Sequence, residues 1–118
     1  MNIDYTIQKI GEGDLPKILV SFFFQDPNQW KQYYEENLRG DRVTLLAMNN
    51  ECVLGYTNII WQSDYPPFKA AGILEISNMH VLDPYQGQGI GTALVHEAEL
   101  IAAQTGKSII GIGVVVSE

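Results

Sequence analysis

A glycine-rich stretch, Gln86-Gly87-Gln88-Gly89-Ile90-Gly91-Thr92, separates a strand-like run, Ile73 to Leu82, from a helix-like run, Ile90 to Thr105. The first N–H groups of such a helix have no intrahelical partner, and the helix dipole adds partial positive charge there. That end accepts an anion, above all phosphate, and glycine lets the ligand approach the backbone closely. Spacing rules out two common nucleotide loops. A Gly-x-Gly-x-x-Gly fingerprint starting at Gly87 needs glycine where Thr92 stands, and a Gly-Lys-Ser/Thr loop needs a lysine, whereas none lies between Lys69 and Lys107. The pattern that remains is Gln-x-x-Gly-x-Gly, at Gln86, Gly89 and Gly91. A turn that merely caps a helix is the plainer alternative.

The chain of 118 residues predicts a single domain, 1–118, with a modest core. No apolar run reaches membrane-spanning length, and Met1-Asn2-Ile3-Asp4-Tyr5 lacks the basic-then-apolar pattern of a signal peptide. The single cysteine, Cys52, has no internal disulfide partner and reads as core. These features predict a cytoplasmic protein. The net charge of −7 and the absence of a basic patch argue against nucleic-acid binding. Acidity attracts cationic amines, and it equally serves solubility. Two histidines and one cysteine show no metal-ligand spacing, so no metal site is expected.

Tyr5 and Ile7 alternate with polar residues and predict a first strand. Asp14 stands where it would cap a helix that aligns Leu15, Ile18, Leu19 and Phe22. A second helix should run from Asp26-Pro27 to Gly40, with Trp30, Tyr33, Tyr34 and Leu38 along one side. Strands Arg42 to Met48 and Cys52 to Trp61 follow, joined by a tight turn at Asn49-Asn50, with Gly55 marking a bulge. The loop Gln62 to Gly72 precedes the fourth strand, Ile73 to Leu82. Ile90, Leu94, Ala98, Ile101 and Ala102 share a face of the last helix, which Gly106 ends, and Ser108 to Val116 is a fifth, apolar strand. The order β-α-α-β-β-β-α-β predicts a mixed α/β sheet.

With its flanks, the glycine stretch reads Val81-Leu82-Asp83-Pro84-Tyr85-Gln86-Gly87-Gln88-Gly89-Ile90-Gly91-Thr92-Ala93-Leu94. It closely resembles the acyl-CoA signature of the GNAT superfamily of N-acetyltransferases, Arg/Gln-x-x-Gly-x-Gly/Ala after a strand ending in Val-x-x-Pro. The element order matches the first part of that fold. Only Ile73 to Leu94 is a specific match. The family normally continues through a helix and two more strands, which carry a tyrosine proposed to protonate the departing thiolate. The resemblance therefore implies a C-terminally incomplete domain, or one completed by dimerisation through a bare fifth strand.

The resemblance implies acetyl-CoA as cosubstrate and a primary amine, on a small molecule or peptide, as acceptor. The pyrophosphate is expected on backbone N–H groups of Gln86, Gly87, Gln88, Gly89, Ile90 and Gly91, with Thr92 adding a hydroxyl. Gln86 stands where many members have arginine, which predicts weaker cofactor affinity. Val81 is expected to bond the pantetheine arm through its backbone. A bulge near Asn78 and Met79 is expected to aim an N–H at the thioester carbonyl. Glu75, in the apolar run Ile73-Leu74-Glu75-Ile76, is the candidate base that takes the ammonium proton. A solvated or salt-bridged glutamate is its plain alternative. Simple strand alternation points His80 away from Glu75 and makes it structural, and His96 reads as solvated. Trp30, Tyr33, Tyr34, Trp61 and Tyr65 are candidates for an acceptor pocket, or for plain core packing. Two rival functions are a non-catalytic acyl-CoA-binding sensor and an interaction module that pairs through strand five.

Overall fold

The computed structural model describes residues 4–61, 74–105 and 109–113. The chain begins with β1 (Thr6–Lys9), passes through a 3-10 turn at Glu12–Asp14, and enters α1 (Leu15–Ser21). Asp14 does not cap α1 as expected. Its carboxylate turns back and accepts the Gly11 N–H at 2.7 Å, so it closes the turn ahead of the helix. The second helix, α2 (Pro27–Arg39), matches expectation at both ends. Asp26 accepts the Asn28 N–H at 2.9 Å, and Gly40 adopts the left-handed conformation (φ 83°) that ends it. Leu38 departs from the predicted face and is 70% exposed.

Strands β2 (Arg42–Asn49) and β3 (Cys52–Ile60) form a hairpin. Its turn is Asn50-Glu51, one residue later than predicted, because Asn49 pairs with Cys52 and Asn50 takes the positive φ (54°). Both strands are buried along nearly their whole length because helices cover both sides of the sheet. Next come β4 (Leu74–Val81), a 3-10 turn at Asp83–Tyr85, α3 (Ile90–Gln104) and β5 (Ile109–Gly113). The sheet order is β1-β2-β3-β4-β5. Neighbours are antiparallel except β4 and β5, which are parallel because α3 carries the chain across between them. The predicted loop 62–72, Gly106 and the end of the predicted fifth strand, 114–116, lie outside the described residues.

The sheet separates two apolar clusters. On one side Leu45, Ala47, Ile59, Ile76, Met79 and Val81 meet Ile90, Leu94, Ala98 and Ala102 of α3. On the other, Leu46, Met48, Val53 and Tyr56 meet Ile18 of α1, Phe22 just past its end, and Trp30 of α2. Each large side chain so buried stabilises the fold by roughly 1.5–3 kcal/mol relative to leaving it in water. A polar seam ties α2 to the second side. Asn37 donates to Thr44 Oγ1 at 2.9 Å, and Thr44 Oγ1 donates to Asn58 Oδ1 at 2.6 Å. Cys52, expected in the core, is exposed because it sits at the hairpin end of β3.

Candidate active site

The register of β3 against β4 carries one irregularity, and it falls at the predicted place. Ile60 pairs with Glu75 and Asn58 with Ser77, but Tyr56 pairs with His80. Two steps along β3 therefore match three along β4, which leaves an extra residue in the Asn78–Met79 segment. A bulge of this kind breaks ladder pairing and re-aims backbone groups. It also changes side-chain parity. Ile60, Asn58 and Tyr56 alternate regularly onto one face of β3, so their partners Glu75, Ser77 and His80 share that face as well. The expectation that His80 points away from Glu75 is thus overturned, since simple alternation fails across a bulge. The two remain apart, roughly 13 Å along the strand at about 3.3 Å per residue.

His80 packs in an aromatic cluster, with ring centroids 5.2 Å from Phe22, 5.8 Å from Phe24 and 6.1 Å from Tyr56. The Tyr56 hydroxyl accepts the Gln25 amide at 2.9 Å, and Gln25 accepts the Trp30 indole N–H at 2.8 Å. Burial raises the Tyr56 hydroxyl above its ordinary pKa against the opposing Gln25 hydrogen bond. Trp30 is core packing, as its plain alternative held. Tyr33 lies beneath the Arg42 guanidinium, 4.1 Å from ring centroid to Cζ. Trp61 lines a hollow with Arg42, and Tyr65 lies outside the described residues. Glu75 is half-buried.

Gly55, predicted at a bulge, lies beside one: Ala47 pairs with Gly55 and Met48 with Val53, so Leu54 is the extra residue. Gly55 itself is demanded by close approach. A Cβ there would stand 2.9 Å from the His80 carbonyl oxygen.

After β4 the loop tightens. Gln86 donates its side-chain amide to the Val81 carbonyl at 2.9 Å and to Asp83 Oδ1 at 3.1 Å. Its amide protons therefore tie the strand end to the turn. Gly87 (φ 77°) and Gly89 (φ 84°) are both left-handed, and Gly89 is the N-cap of α3. A Cβ on either would meet nothing within 4 Å, so the space above the loop is open. Glycine at the N-cap supplies no side chain to occupy the helix N–H groups. Ile90 and Gly91 are buried, while Thr92 is exposed beside them. A cleft of about 290 Å³ runs from this helix start to the β4 bulge, lined by Met79, Gly91, Thr92, Val95, His96 and Glu99. It joins three residues singled out from the sequence. Val95 and Glu99 were missed, and His96, expected to be solvated, is exposed on this cleft; their spacing along α3, in steps of about one turn, was the available signal. Among the described residues no group of three or more His, Cys, Asp or Glu could hold a metal ion. No described helix is long and apolar enough to cross a membrane.

The acetyltransferase (GNAT) family model matches residues 13–117. The chain belongs to the GNAT family. Solved structures agree on the fold. An aminoglycoside antibiotic 6'-N-acetyltransferase from Acinetobacter haemolyticus superposes with a TM-score of 0.74 at 16% identity, over 91% of this chain and 77% of that one. A ribosomal-protein-alanine N-acetyltransferase from Brucella melitensis biovar Abortus 2308 gives 0.70 at 14% identity, over 95% and 81%. A putative acetyltransferase from Salmonella typhimurium, solved with its cofactor acetyl-CoA, gives 0.69 at 20% identity, over 88% and 66%. No curated protein matches the chain in sequence.

Proposed function

We propose that this GNAT domain transfers the acetyl group of acetyl-CoA to a primary amine by direct attack, in the cytoplasm. The observation that carries the reading is the cleft linking the Gly89-capped start of α3 to the Asn78–Met79 bulge. The N–H groups from Gln86 to Gly91 hold the pyrophosphate, with the Thr92 hydroxyl beside them, and the two left-handed glycines leave it room. The Val81 backbone aligns the pantetheine arm. Bound there, acetyl-CoA supplies a thioester, an acyl group already activated for attack.

The protein's own residues then do the rest. The Met79 N–H, turned out of the ladder by the bulge, donates to the carbonyl oxygen as negative charge grows on it. In other acyl transfers one such donor contributes roughly 3–4 kcal/mol. Glu75 Oε, directly or through a water, takes the proton that the incoming ammonium must lose before its nitrogen can attack. As the C–N bond forms the C–S bond breaks, and CoA leaves as a thiolate that takes up a proton from solvent while the nitrogen sheds its second. Donor cleft and base occupy opposite faces of β4: the Met79 side chain belongs to the α3 side, while Glu75 shares its face with Ser77 and His80. Acyl donor and amine thus approach from two sides of the strand.

Release of CoA thiol in the presence of primary amines tests this. Glu75→Gln should lower turnover at least tenfold, with cofactor affinity little changed. Unchanged turnover across pH would make Glu75 structural.

A further inference from the structure

The turn between α1 and α2 presents apolar rings to water. From Leu15 to Gln25 the only charged residue is Lys17, and Glu51 holds it at 2.8 Å. Phe22 is fully buried, but Phe23 and Phe24 are 80% and 57% exposed, with ring centroids 5.7 Å apart. The chain here is pinned at both ends. The Phe22 N–H donates to the Ile18 carbonyl at 2.7 Å, and the Gln25 N–H donates to the Phe22 carbonyl at 3.0 Å. The Gln25 side chain is bonded in turn to Tyr56 and Trp30 in the core. Phe23 and Phe24, between these anchors, are held out in water. Contiguous apolar surface kept exposed in this way marks a place where an apolar group binds.

Position decides which group. Phe24 lies against His80, with ring centroids 5.8 Å apart, and Phe22 and Tyr56 back His80 from the core. His80 is only half-buried. The β4 bulge puts it on the face that carries Glu75 and Ser77, opposite the α3 side where Met79 packs. It also follows Met79 directly in the chain, and consecutive Cα atoms lie about 3.8 Å apart. An amine that attacks an acyl group held at the Met79 N–H from this face therefore meets His80 and Phe24 within the length of a short alkyl chain. Phe23 and Phe24 offer ring faces and edges and no hydrogen-bonding atom. An aromatic ring of the acceptor stacks offset or edge-to-face on them and leaves water. A polar group in that place would give up hydration for no partner.

We propose that Phe23, Phe24 and His80 form an acceptor subsite for an aromatic ring, and that the chain acetylates amines joined to such a ring by a short alkyl linker. The proposal rests on the N-acetyltransferase reading for the amine end only; the ring end stands on the exposed phenylalanines and the pinned turn. The net charge of −7 draws the ammonium end of the same molecule.

Two measurements separate the parts. In the first, CoA release is compared for 3-phenylpropylamine and for propylamine, whose ammonium groups ionise alike. The phenyl amine should show about tenfold higher kcat/KM or more, chiefly through KM. Phe24→Ser should cut that ratio about threefold or more, whereas Phe24→Tyr keeps the ring and should keep the ratio. Phe24 is more than half exposed, so both variants fold. Equal use of the two amines, or a Phe24→Ser protein that lowers both alike, overturns the proposal. In the second, N-(3-phenylpropyl)acetamide is titrated into the wild-type protein without acetyl-CoA, with N-propylacetamide as the control. The imidazole proton resonances of His80 should move with the phenyl compound alone, under the ring current of the bound phenyl group. Those of His96, exposed on α3, should stay still. A His80 shift without any acetyl transfer would keep the subsite and sink the transferase reading. No His80 shift overturns the subsite, whatever the enzyme does.

Discussion

Gly55→Ala tests the geometry on which the site depends. Gly55 pairs with Val81, just past the β4 bulge. A Cβ added there would lie 2.9 Å from the His80 carbonyl oxygen, 3.2 Å from Val81 Cγ2 and 3.3 Å from Val81 Cα. Comfortable contact begins near 3.5 Å, so β4 must retreat by about half an ångström. The obstruction is backbone, which yields less easily than a side-chain tip. Forcing a methyl group into a packed interior costs about 1–3 kcal/mol. At about 4 °C per kcal/mol for a domain of this size, melting should fall by roughly 4–12 °C. On the proposed mechanism the same retreat would carry the Met79 N–H away from the acyl oxygen, so turnover should drop more than acetyl-CoA affinity. Gly13→Ala is the control: its Cβ would meet nothing within 4 Å, and its effect should stay within about 0.5 kcal/mol. Thermal unfolding followed by circular dichroism gives both numbers. A Gly55→Ala protein that melts within about 2 °C of the parent would refute the close β3–β4 approach and the argument built on it.

Burial works to raise the Glu36 carboxyl, but hydrogen bonds from Arg42 and Gln32, with the charges of Arg42 and Arg39, outweigh it and hold the group below its ordinary value. A lowered folded pKa stabilises the fold above the unfolded value and loses that contribution as pH falls through the folded one; Glu36→Gln should therefore cost about 1.5–3 kcal/mol at pH 7 and nothing once both forms are neutral at low pH, as urea unfolding at several pH values would show. Equal deficits at pH 7 and at a pH low enough to protonate the carboxyl in the folded protein would remove the charge-based account of this pair. Among the described residues β5 is hydrogen-bonded on one side only, to β4. Such an edge recruits another strand, so sedimentation should show reversible association as concentration rises, and a monomer throughout would mean that the edge is covered.

Alternation made β1 legible and near-continuous apolar runs the inner strands, whose two faces both meet the core, while the i, i+4 spacing of Ile90, Leu94, Ala98 and Ala102 made α3 legible because one face of that helix meets the core. The glycine loop was legible because left-handed φ leaves few other residues to choose from. The β4 bulge was expected from family resemblance, but its effect on parity was not carried through, so His80 was assigned to the wrong face. Cys52 was misplaced because its exposure depends on where the hairpin turns, which shifted by one residue. The Arg42 hollow was invisible in the sequence. It is assembled from the end of α2, the start of β2 and the end of β3, segments far apart in the sequence. Gln86 shows a similar limit, since its inward bonds to Val81 and Asp83 follow from loop geometry rather than residue type.

The most direct test of the central claim is a titration of acetyl-CoA followed by backbone amide resonances in the wild-type protein and in Gly89→Val. Gly89 holds a φ of 84° with open space above it, so a branched side chain strains the loop and fills the place proposed for pyrophosphate. The account predicts saturable shifts at the amides of Gly87 to Thr92 and of Met79 in the wild type, lost in a variant that remains folded. Saturation without movement of those amides, or no binding by the folded wild-type protein, would contradict it.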